Sequence, residues 1–128
     1  MRVTAISQIL LIELQTQQSV VNTATERVSN ARRDLTNLQA DEKRASADLA
    51  ELQDKRNNTS DAVEAETFTA TVNNLKSGLA AFKVREDGLT TTVQTAESQL
   101  RSAQETLDDI QRRLDETMKK LQPVADTH

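Results

Sequence analysis

Apolar residues return at alternating steps of three and four along almost the whole of this 128-residue chain, and no other feature limits its fold so strongly. With Leu14 as an a position, Leu14, Val21, Val28, Leu35, Glu42 and Leu49 follow one another every seven residues. Leu10, Gln17, Ala24, Ala31, Leu38, Ala45 and Leu52 fill the d positions, and eleven of these thirteen residues are apolar. A second series has Ala65, Val72, Leu79, Glu86, Val93, Leu100, Leu107, Leu114 and Leu121 at a. Its d positions are Phe68, Leu75, Phe82, Leu89, Ala96, Ala103, Ile110 and Thr117, so that fifteen of seventeen are apolar in a chain only 36% hydrophobic. A 3.5-residue period belongs to a helix that lays a narrow stripe against another helix.

Composition agrees with a thin seam rather than a globular core. There is no Trp, Tyr or Cys, and there are two Phe, two Gly and one Pro. The aromatic side chains that fill most cores are nearly missing, and Leu, Val, Ile and Ala must be buried instead. Disorder is the competing outcome for a chain with 28% charged residues, but a merely solvated chain has no reason to keep a regular apolar spacing.

Between the two series stands Asn57-Asn58-Thr59-Ser60, whose side chains favour turns by bonding their own backbone. Asn57 and Asn58 also open glycosylation sequons, but the turn accounts for them. Ser60 or Asp61 offers a helix N-cap, with Glu64 three residues beyond Asp61 as in a capping box. At the far end Lys119 and Lys120 suit a helix C-terminus, and Pro123 is expected to stop the helix. The predicted fold is therefore all-α: a long antiparallel two-helix coiled-coil hairpin, one domain over 1–128, with oligomerisation into a helical bundle open to it. Helix one covers about 4–56, the turn 57–60, helix two about 61–121 and a C-terminal tail 122–128. Each arm of about 55 residues would reach roughly 80 Å. Gly78 and Gly88 fall at outward g and c positions, so helix two is expected to run through them, although the Thr90-Thr91-Thr92 run makes a break near Gly88 the alternative.

A tight turn sets residues opposite one another whose numbers add to a constant. Counting from Arg56 and Asp61 that constant is 117, which puts every a position against a d position: Leu49 with Phe68, Leu35 with Phe82, Leu14 with Ala103. In this register Glu42 faces Leu75 and lies beside Lys76, while Glu86 faces Ala31 and lies beside Arg32. Each seam carboxylate then has a basic neighbour, an arrangement that would set the register at some cost in stability. The plainer alternative is that both glutamates reach out to water.

Catalysis has little to work with. The one histidine is the terminal His128, and the chain lacks Cys and Tyr, so most common nucleophiles, bases and transition-metal ligands are missing. Asp108, Asp109, Asp115 and Glu116 read as a solvated acidic face, and no catalytic residue, cofactor or metal site is expected. A net charge of -4 disfavours nucleic acid as a partner, and the scattered basic pairs have no aromatic residue to stack a base. The apolar stretch from Ile6 to Leu14 is far shorter than the ~20 residues that span a bilayer, and it reads poorly as a signal peptide. Compartment is left open, with a cytoplasmic place or a place in a larger assembly favoured.

One feature is left over. Leu10 and Leu14 point into the seam, but Ile6, Ile9, Leu11 and Ile12 occupy g, c, e and f positions and surround the helix with apolar side chains. A second helix cannot cover them all. Either this end folds against the C-terminal tail through Met118 and Val124, or it meets a protein partner or another copy of the chain. The expected role is a non-enzymatic coiled-coil structural or assembly component that makes protein–protein contacts, such as a subunit or spacer of a secretion, phage or cytoskeletal machine. The alternative is a small acidic chaperone or adaptor that captures a client helix.

Overall fold

The computed structural model describes residues 2–126, with the side chains of residues 4–120. It is an all-α helical hairpin of two long helices packed against each other, α1 over Arg2–Asn58 and α2 over Ala62–Asp126. No described residue is in a strand. Every a and d position from Leu10 to Thr117 is buried or half-buried, and the buried positions all lie on that pattern, Ser7 included. Contacts gather into two units. Among the described residues, those up to Asn30 pack with those from Gln94 onward, and Ala31–Val93 form the other unit.

The turn is shorter and later than the sequence indicates. Asn57 and Asn58 stay helical, and only Thr59, Ser60 and Asp61 leave the helix. Thr59 N–H still donates to the Lys55 carbonyl at 3.1 Å, closing α1. Asp61 is the N-cap of α2, its Oδ1 accepting from the Val63 N–H at 3.0 Å and the Glu64 N–H at 3.5 Å. In a capping box Glu64 would reach back to the Asp61 N–H. Here that N–H donates instead to Thr59 Oγ1 at 3.4 Å, and the Thr59 hydroxyl donates to Glu64 Oε2 at 3.2 Å, so Thr59 relays the return bond.

Helix α2 is unbroken through Gly88. The hydroxyls of Thr90, Thr91 and Thr92 donate to the carbonyls of Glu86, Asp87 and Gly88, four residues back. Each β-branched residue thus satisfies its own polar group within the helix. Thr67, Thr69 and Thr71 do the same near the start of α2. Gly78 and Gly88 have nothing within 4 Å of where a Cβ would stand, as expected of outward positions. Pro123, expected to end the helix, lies inside it, since α2 continues to Asp126. Only three residues of α2 follow it, so few helical bonds lie beyond the one that its missing N–H removes.

Candidate functional site

In the first unit, the opening turns of α1 carry four large apolar side chains into solvent: Ile6 is 48% exposed, Ile9 56%, Leu11 47% and Ile12 64%. Leu10, between them in sequence, is buried and Leu14 half-buried, so the seam takes only the a and d positions. Met118, on which an intramolecular cover would rely, is itself 51% exposed. Val124, the other residue of that cover, and the terminal His128 lie outside the described side chains. Gln17, a polar residue at d, is half-buried, and its Nε2 donates to the Ala103 carbonyl at 2.9 Å. That bond supplies a partner for an amide that the seam would otherwise leave unsatisfied.

Beside this seam runs a groove that apolar periodicity does not reveal. A concavity of about 580 Å³ is lined by Gln17, Val20, Gln99, Ser102, Ala103 and Thr106 among others. An adjoining one is floored by Thr16, Ser19, Val20, Thr23 and Arg27 on the α1 side. Val20 belongs to both and is 46% exposed. From Val3 to Thr25 the only charged residue of α1 is Glu13, in contrast with the charge-rich remainder of the helix. This lack of charge, and not hydrophobicity, is the sequence signal that marks the groove.

In the second unit the structure brings the two seam glutamates together. Glu42 shares a side-chain hydrogen bond with Glu86, with Lys83 and Asp87 close by, instead of meeting Lys76. Both glutamates are half-buried, whereas Lys76 and Arg32 are exposed. With numbers adding to 117, Glu42 would lie opposite Leu75, about 16 Å along the helix from Glu86, so that register does not hold in this unit. Two causes explain the shift. The turn begins two residues later than counted, and every Cα–Cβ bond tilts toward its helix N-terminus, so antiparallel side chains meet beyond the level of their backbones. The next register that keeps a against d has numbers adding to 124, one heptad on from 117. The Glu86 hydrogen bond and charge, with partial desolvation and Asp87, push the Glu42 carboxyl above the usual carboxylate range, while Lys83 opposes the shift.

On the acidic face of α2, Asp109 is paired within its own helix. Asp109 accepts from Arg112 and, at 3.2 Å, from Arg113, the i+3 and i+4 neighbours that a helix places beside it. Among the described residues no cluster of His, Cys, Asp or Glu could hold a metal ion, and no helix is long and apolar enough to cross a membrane. Comparison with family models, with curated proteins and with solved structures returns no match.

Proposed function

We propose that the chain is a non-enzymatic coiled-coil assembly component, a subunit or spacer that makes protein–protein contacts through the N-terminal end of α1. The observation that carries this reading is the ring of exposed Ile6, Ile9, Leu11 and Ile12 around the buried Leu10. Apolar side chains in such number are more than one partner helix can cover, and on water-soluble surfaces a contiguous group of this kind marks a contact. Burial of one such side chain contributes roughly 1.5 to 3 kcal/mol, so three or four together can hold an association against its entropic cost.

The test is the Ile9→Gln/Ile12→Gln double variant. Helix content by circular dichroism should match the parent, because seam residues are untouched, and mass by light scattering should fall toward that of one chain. An oligomer whose mass does not change would move the contact to another surface. A parent chain that is monomeric yet captures an amphipathic helical peptide at this end would favour the adaptor over the assembly component.

A further inference from the structure

The geometry points to a second copy of this chain as the occupant of the Val20 groove, its α1 antiparallel to the first with the two Val20 side chains meeting on the two-fold axis. This rests on the reading that the N-terminal part of α1 is a contact surface, and it names the partner and the alignment. A helix offers neighbouring stripes of residues at heptad spacing, and the stripe beside the seam on this side of α1 runs Ile6, Ile9, Glu13, Thr16, Val20, Thr23, Arg27. All seven are exposed. Glu13 and Arg27, its one acid and its one base, stand seven residues to either side of Val20.

An antiparallel copy related by a two-fold axis through Val20 sets each Glu13 against the partner's Arg27, twice over, as an isologous contact requires. A parallel copy would oppose like with like. Among the described residues, neither Glu13 nor Arg27 forms an ion pair within the chain.

The groove suits this partner better than an apolar client. Its floor near Val20 is made of Thr16, Ser19 and Thr23 on α1, with Ser102 and Ala103 on α2. These small side chains let a helix approach closely and offer hydroxyls to its Thr and Gln residues, but they give a strongly apolar helix little to bury against. The visiting α1 is itself uncharged from Thr16 to Thr25, so no unpaired charge enters the groove. Ile6 and Ile9 continue the same stripe toward the N-terminus.

The chain has no cysteine, so Val20→Cys places a single thiol on the proposed axis. Only a position beside a two-fold axis brings a residue within disulfide distance of itself. Under mild oxidation Val20→Cys should form disulfide-linked dimers at least about tenfold faster than Val84→Cys, an exposed control in the other unit, because association raises the effective thiol concentration. Glu13→Arg and Arg27→Glu should each weaken association by roughly two- to thirtyfold, the range for two exposed pairs, and the double reversal should restore it. Circular dichroism checks that each variant is folded.

Crosslinking no faster than the control, or a double reversal that fails to restore association, overturns the alignment. If that result accompanies a mass loss in Ile9→Gln/Ile12→Gln, the N-terminal contact survives and the Val20 axis does not. A parent chain that stays monomeric at every concentration overturns the second copy as occupant, while capture of a helical peptide would still support the N-terminal end as a contact surface.

Discussion

Glu42 and Glu86 both occupy a positions in a mainly apolar seam, and the structure sets them against each other. A hydrogen bond from Glu86, partial desolvation and the Glu86 charge raise the Glu42 carboxyl above its usual range. The sign of the pH effect follows. A carboxyl whose folded value is raised binds its proton more tightly in the folded state, so its contribution to stability is present in acid and is lost as pH rises through the raised value. The parent hairpin should therefore gain thermal stability relative to Glu42→Gln as pH falls from neutral toward the carboxylate range, with the variant the more stable near neutral pH. Melting curves of the two proteins across that range read the difference, in which the remaining acids cancel. Parallel curves would mean that the carboxyls repel weakly and are separately solvated.

At the level of the helix pair, the register is the property most open to experiment. Cysteines at Leu35 and Leu89, whose numbers add to 124, should crosslink within one chain faster than cysteines at Leu35 and Phe82, whose numbers add to 117. The opposite order would restore the shorter register. The helices themselves were legible in the sequence because a and d spacing is a direct record of which side is covered, and no buried residue among those described departs from it. Their alignment was less so. The two runs share one seven-residue period, so registers a heptad apart satisfy the apolar pattern equally, and only the turn and the tilt of the side chains separate them. The Thr59 relay was hidden for a related reason, since Asp61 and Glu64 have capping-box spacing whichever group returns the bond. The exposed apolar end could be read directly, but the groove beside it could not, as serine, threonine and glutamine leave no mark in a pattern of apolar residues.

For the molecule as a whole, the depth of the seam matters as much as its length. Among the described residues, Val72 is the only side chain with less than 2% of its surface exposed, and most a and d positions are merely half-buried. Heat capacity records this shallowness, because the increment on melting comes chiefly from apolar surface newly exposed to water. Calorimetry should give an increment clearly below the ~12–15 cal/mol/K per residue of ordinary globular domains. A globular value would show that melting uncovers apolar surface beyond the seam, as it would if copies come apart in the same transition. A small increment flattens the dependence of stability on temperature, so a hairpin with so little hidden from water loses little of its stability on cooling and gives it up gradually on warming.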